Sequence, residues 1–166
     1  MVTLERHVVV TGLMGVGKTT TARALAAALD VPLRDSDADI ETVFGVTGRE
    51  LVETVGVEEL HRMEAAVLIG ALAAEEPCVI AAAGWVIEDP MSREAMRRRA
   101  DVLVLELPIE ALVERIKAGD HRRTMSVADL EQAWEVRGPL FEELATGTLD
   151  ASLPTEALVS HALAAL

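Results

Sequence analysis

The stretch Gly12-Leu13-Met14-Gly15-Val16-Gly17-Lys18-Thr19 fits the pattern G-x-x-x-x-G-K-[ST], a phosphate-binding loop when it lies between a strand and a helix. Both flanks comply. His7-Val8-Val9-Val10-Thr11 is a β-branched run that reads as a buried strand, and Thr20 to Leu29, rich in alanine, reads as a helix. Gly12, Gly15 and Gly17 lack a Cβ, so the loop can wrap with its amides inward and a polyphosphate can approach the backbone. The helix opening at Lys18 adds the positive end of its dipole. In such a loop Lys18 supplies a mobile cation for the β- and γ-phosphates of ATP and the Thr19 hydroxyl is placed to ligate Mg²⁺. Val16 and Thr20 complete the nucleotide-binding segment.

Working outward, 166 residues with 51% hydrophobic content exclude a disordered chain and fit one α/β domain over 1–166. No apolar run reaches the ~20 residues that span a bilayer. The N-terminus lacks signal-peptide architecture, so a cytoplasmic protein without membrane contact is expected. The formal charge of −13 makes nucleic acid a poor partner, since phosphate-backbone binding needs a basic surface. Nine of the fifteen Lys and Arg nevertheless fall between Arg93 and Arg137, where they could locally face an anionic ligand. Cys78, the only cysteine, excludes a disulfide framework and sits in an apolar run as a core residue.

Further strands are expected at Val31–Arg34, Cys78–Ala83, Val102–Leu107 and Thr148–Ala151. Helices are expected at Ala38–Phe44, Glu58–Ala74, Pro90–Arg99, Pro108–Lys117, Ala128–Arg137, Leu140–Ala145 and Pro154–Leu166. Alternation of strands and helices predicts a largely parallel five-stranded sheet covered on both faces, with ligands beyond the carboxyl ends of the strands. Three segments converge there: the phosphate loop after strand one, Asp35-Ser36-Asp37 after strand two and Gly84-Trp85 after strand three. An extended Asp35-Ser36-Asp37 would place both carboxylates on one side; the competing reading makes Asp37 the N-cap of the helix from Ala38.

The chain resembles the shikimate kinase family of small P-loop kinases over nearly its whole length. Gly12 to Thr20 looks like that family's P-loop, and Asp35-Ser36-Asp37-Ala38-Asp39-Ile40-Glu41 like its D-x-D-x-x-I-E segment. Thr47-Gly48-Arg49, Gly56 and Arg62-Met63-Glu64 resemble its substrate-domain helices, and Arg137-Gly138-Pro139-Leu140-Phe141 its R-x-P-L-Y run. The resemblance implies a nucleoside-monophosphate-kinase-like P-loop NTPase fold, with substrate-binding helices at about 37–64 and a lid at about 119–128. It implies ATP- and Mg²⁺-dependent phosphorylation of a hydroxyl on shikimate or a related hydroxylated ring. Implied roles are Lys18, Asp37 and Arg123 in catalysis, Asp37 as base toward the acceptor, and Asp35 beside Mg²⁺. Arg122 and Arg137 would contact the nucleotide; Arg137, His61, Arg62, Gly84 and Trp85 would contact the acceptor.

Departures lie on the acceptor side. His61 stands where the family has an arginine that grips the acceptor carboxylate, and that role would otherwise shift to Arg62, about 100° around the helix. One glycine, Gly84, remains where the family has three after strand three, and Trp85 follows it as a platform for an acceptor ring or as core. The lid reads Arg123-Thr124-Met125-Ser126, and the segment between Thr47 and Gly56 is short. A kinase for gluconate or a cyclitol, or a nucleotide-binding pseudokinase, are the competing readings.

Overall fold

A computed structural model describes residues 3–119 and 125–166. Its centre is β1 (His7–Gly12), whose Val8, Val9 and Val10 are wholly buried. Such a run suits a central parallel strand covered on both faces. The remaining strands are β2 (Leu33–Asp35), β3 (Val79–Ala81), β4 (Ala100–Glu106) and β5 (Gly147–Asp150). All pair in parallel in the order β2-β3-β1-β4-β5. The expected five-stranded parallel sheet is present. Because the chain leaves β1 toward one edge and returns past it to the other, a crevice opens beyond the carboxyl ends of the central strands.

Helices α1 (Lys18–Leu29), α2 (Ser36–Phe44), α3 (Gly48–Val55), α4 (Val57–Leu72), α5 (Pro90–Arg99), α6 (Ile109–Ala118), α7 (Val127–Leu144) and α8 (Thr155–Ala165) complete the fold. Helices α1 and α8 pack together, α1 against β1 and α8 against β5, while α5 packs on β4 and α4. A large core spans the sheet and its helices. A second, smaller cluster of Ile40, Leu51, Leu60 and Val67 holds α2, α3 and α4 to one another. No helix among the described residues is long and apolar enough to cross a membrane.

Four local readings are corrected. Asp35 ends β2 with an extended backbone, but helix starts at Ser36, so Asp37 lies in the first turn of α2 and the two carboxylates do not alternate along a strand. The N-cap is Asp35, whose carboxylate accepts from the amides of Asp37 and Ala38 at 2.9 and 3.4 Å; Asp37 is not the cap. Second, α3 was not among the helices read from periodicity, although it falls within the substrate-binding helices that the resemblance placed at about 37–64. It is set by a reciprocal capping box in which the Thr47 hydroxyl accepts from the Glu50 amide and the Glu50 carboxylate accepts from the Thr47 amide. Third, the two helices expected around Gly138-Pro139 are one, α7. Proline removes one N–H donor, yet buried Leu130 and Phe141 anchor the helix on either side of it.

Fourth, Arg93, Arg97, Arg98 and Arg99 of the basic stretch are engaged within the protein, while Arg137 of the same stretch lines the cleft. Arg93 donates to the carbonyls of Ile87 and Glu88, Arg99 to those of Leu72 and Ala74, and Arg97 and Arg98 pair with Glu94. They close helix C-termini, where cations and donors are favoured. The Glu94 carboxyl is held below its ordinary value, first by the hydrogen bond from Arg98. Arg122 and Arg123 lie outside the described residues, as does half of the segment expected to form a lid.

Candidate functional site

The loop after β1 is shaped by close backbone approach. Gly12 has φ +149°, and a Cβ there would come within 2.6 Å of the Leu105 carbonyl oxygen of β4. Opposite it, Gly84 opens a 3-10 turn, Gly84–Glu88, after β3, and a Cβ on Gly84 would come within 2.5 Å of the Gly12 carbonyl oxygen. The glycine that remains in this stretch therefore occupies the position where a side chain has no space, while Ala82 and Ala83 fit. Lys18, the first residue of α1, extends its ammonium back over the loop and donates to the carbonyls of Gly12 and Leu13 at 3.1 and 3.0 Å. Arg115 of α6 clamps the loop from behind, donating to the carbonyls of Val16 and Ala151 at 3.2 and 2.8 Å.

Thr19 and Asp35 meet. The threonine hydroxyl donates to the Asp35 carboxylate at 2.7 Å, joining the start of α1 to the end of β2. Just behind, Arg34 grips Asp39 through both carboxylate oxygens at 3.2, 3.0 and 2.9 Å. This bidentate pair fixes the first turn of α2 on β2 and so sets the direction of Asp37. Nothing in the sequence reading assigned Arg34 a role.

A cleft of about 400 Å³ runs from the loop to α3 and α4. It brings together Gly15, Gly17, Lys18, Thr19, Thr20, Asp37, His61, Gly84, Trp85 and Arg137 from the candidates named in the sequence. Arg137 reaches it from α7, with its Nε donating to Glu88 at 2.6 Å. The rings of His61 and Trp85 lie face to face, centroids 4.1 Å apart and planes 7° apart. Trp85 thus has a ring partner from within the chain. Arg62 is not brought in: it is exposed on the outer side of α4, paired with Glu59 at 2.8 Å.

Three charged residues of the cleft were missed: Arg49 and Glu53 of α3, one turn apart and paired at 3.1 Å, and Glu64 of α4, which is only 5% exposed. The signal for the first two was the T-x-x-E spacing of Thr47 and Glu50, which announces a helix start. Once α3 is a helix, Arg49 and Glu53 share a face.

A glycine-shaped phosphate loop, a threonine–aspartate pair beside it and a cleft facing them, all at the carboxyl edge of a parallel sheet, define a P-loop phosphotransferase acting on a small molecule. Residues 14–166 match the family model for shikimate kinase. A shikimate kinase of Rhizobium meliloti (strain 1021) is 32% identical, covering 98% of this chain and 86% of the relative. Among solved structures, a shikimate kinase from Acinetobacter baumannii in complex with shikimate superposes with a TM-score of 0.83 at 26% identity, over 95% of this chain and 90% of that one. A gluconokinase from Sinorhizobium meliloti 1021 shares the fold, with a TM-score of 0.71 at 23% identity over 99% and 93% of the two chains. The chain belongs to the shikimate kinase family. It is a kinase that transfers phosphate to a hydroxyl of a small acceptor, and ATP is the donor the family uses.

Proposed function

We propose that this chain phosphorylates a hydroxyl of shikimate with ATP and Mg²⁺. The observation that carries the reading is the cleft itself, in which Lys18 of α1 and Asp37 of α2 line one cavity beside the phosphate loop. Gly12, Gly15, Val16, Gly17 and Thr20 cradle the phosphates, and Lys18 neutralises charge gathering on the γ-phosphoryl group. The acceptor hydroxyl oxygen forms a bond to the γ-phosphorus as the bond from that phosphorus to the β–γ bridging oxygen breaks. ADP leaves, and the hydroxyl proton passes to the Asp37 carboxylate.

The residues present fit Mg²⁺. With its hydrogen donated to Asp35 at 2.7 Å, the Thr19 oxygen keeps its lone pairs for a cation. No cluster of three or more His, Cys, Asp or Glu among the described residues forms a self-sufficient metal cage, which suits an ion that relies on substrate phosphates for much of its coordination. Bound there, Mg²⁺ would screen the β- and γ-phosphate charges. Asp35 would then act through Thr19.

Arg137 lies where it can touch acceptor or nucleotide, and His61, Gly84 and Trp85 face the acceptor. An arginine, Arg122 or Arg123, would neutralise the transferring phosphates within the one kinase domain, 1–166. The test is acceptor-dependent ADP release across shikimate, quinate, gluconate and cyclitols, with Asp37→Asn in parallel. Turnover with shikimate should dominate. The Asp37 variant should lose roughly 10²- to 10⁴-fold in rate while binding ATP as before; equal turnover by the variant would overturn its role, and ATP binding without acceptor-stimulated turnover would overturn the kinase assignment.

A further inference from the structure

We propose that a second cavity, behind the phosphate loop, binds a small flat organic cation and that its occupancy raises the affinity for ATP. The cavity has a volume of about 690 Å³, inside the roughly 300–1,000 Å³ range of pockets that enclose small ligands. It lies between the carboxyl ends of β4 and β5, the start of α6 and Trp134 of α7. Leu105, Leu107, Ile109 and Leu112 make much of its lining aliphatic. Trp134 supplies a flat wall. Its indole folds back over Gly138, where a Cβ would come within 3.0 Å of the ring, and it is set against buried Phe141 with 6.2 Å between centroids. An indole fixed in this way is a stacking surface for a flat ligand.

Charge sets the class of ligand. Among the described residues the lining carries two carboxylates, Glu106 and Asp150, and no basic side chain. The two are partners in the parallel register of β4 and β5, and like charges on neighbouring strands repel. Ser152 donates to Asp150 from its hydroxyl and its amide at 2.6 and 2.9 Å, which holds that carboxyl below its ordinary value and in its charged form. Arg115 passes beside the cavity but turns its donors to the carbonyls of Val16 and Ala151. The positive end of α6 is met by Glu110 in that helix's own first turn. An anion thus finds no counter-charge on the lining, whereas a flat cation finds two carboxylates and an indole face.

The phosphate loop is the partition between the two cavities. Met14, Gly15 and Gly17 line the cleft, while Leu13 and Val16 line the cavity behind it. Helix α7 divides in the same way: Arg137 reaches the cleft and Trp134, three residues earlier, the cavity. A ligand packed on Leu13 and Val16 restricts the loop from its back. ATP then meets a loop already ordered and binds more tightly.

The chain has two tryptophans, Trp85 in the cleft and Trp134 in the cavity behind, so the two indole N–H resonances of the nitrogen-labelled protein report the two sites separately. The probes are tryptamine, tryptophol and indole-3-acetate, which share one flat ring and carry a positive, no and a negative charge at neutral pH. Tryptamine should move the Trp134 resonance saturably, with tryptophol bound about fivefold more weakly and indole-3-acetate more weakly still. Glu106→Gln, at an exposed position, should lower tryptamine affinity about threefold, and Trp134→Leu about tenfold. ATP affinity, measured by titration, should rise about fivefold at saturating tryptamine, the low end of typical couplings. Equal binding of the three probes, tryptamine moving the Trp85 resonance alone, or Glu106→Gln binding tryptamine like the wild type overturns the cation site. An ATP affinity that tryptamine leaves unchanged or lowers overturns the coupling. All of these are binding measurements, so they stand or fall apart from turnover with shikimate.

Discussion

The phosphate loop stands on the large core, beside strands whose valines are wholly buried, whereas α2, α3 and α4 bury only Ile40, Leu51, Leu60 and Val67 among themselves. On the first wall, position is set by backbone: Gly12 against Leu105 and Gly84 against Gly12 leave no room for a Cβ. On the second wall, position is set by side chains on short helices, and Val43, Val52, Val55 and Val57 remain exposed. A region with few buried apolar contacts opens locally at lower cost than one fixed in the main core. The wall at the phosphate loop therefore tolerates little change, while the wall built from α2, α3 and α4 can shift at lower cost to the loop.

The comparison breaks most sharply at Lys18. Lys18→Met should lower turnover by roughly 10³-fold or more with little change in shikimate KM, because the lost charge acts on the transferring phosphoryl group. A comparable loss of shikimate affinity, measured by titration of the nucleotide-bound enzyme, would mean that the two walls are not separable. Next comes Gly84→Ala. Its Cβ would lie 2.5 Å from a backbone oxygen that cannot rotate away, so about 1–3 kcal/mol of stability should be lost and ATP binding weakened with it. Urea unfolding checks the first and nucleotide titration the second; a wild-type midpoint with intact ATP affinity would show that the Gly12–Gly84 approach has slack.

A smaller effect is expected at the start of α3. Thr47→Ala removes the cap and should cost about 1 kcal/mol, seen as faster amide exchange in α3 and a higher acceptor KM, with the sheet unaffected. The Glu50 carboxyl is held below its ordinary value, first by the hydrogen bond from the Thr47 amide and then by that from the Thr47 hydroxyl. A carboxylate depressed in the folded state stabilises above its unfolded pKa and loses that contribution as pH falls through the folded value. The protection of α3 should accordingly be complete near neutrality and decline in the acid range below the ordinary glutamate pKa, and the decline should be shallower in Thr47→Ala. Faster exchange across the central strands in the same experiment would not fit two cores of different stability.

What could be read from the chain follows the same division. The phosphate loop carries its geometry in its glycines, and the strands carry theirs in unbroken apolar runs, so the sheet, its parallel order and Lys18, Thr19 and Asp35 were legible. The acceptor wall depends on where short helices begin. Asp37 was assigned to an extended stretch because β2 has only three residues, with the helix capped by its last one. Helix α3 was missing from the periodicity reading because eight residues give little periodicity, and only the resemblance placed Thr47-Gly48-Arg49 among helices, although the capping box was present in the letters. The pairing of His61 with Trp85 joins residues from α4 and the turn after β3, a tertiary contact that no local pattern encodes. Arg34 hid for a similar reason, since its partner Asp39 was read as part of a motif rather than as the residue that fixes it to the strand.

Arg62 tests the acceptor wall at its finest. One residue turns a helix by about 100°, so α4 can present His61 or Arg62 to the cleft but not both. In the structure the choice is His61: Arg62 keeps 76% of its side-chain surface exposed and pairs with Glu59 along the helix. Exposed pairs of this kind contribute about 0–1 kcal/mol, and Arg62→Ala should shift stability by less than about 0.5 kcal/mol and leave the shikimate KM within about twofold, inside the scatter typical of surface substitutions. A tenfold rise in KM would require α4 to rotate when the acceptor binds, exchanging one side chain for the other. That would make the small cluster of Ile40, Leu51, Leu60 and Val67 a bearing, since Leu60 immediately precedes the two residues in question and could not stay buried through such a turn.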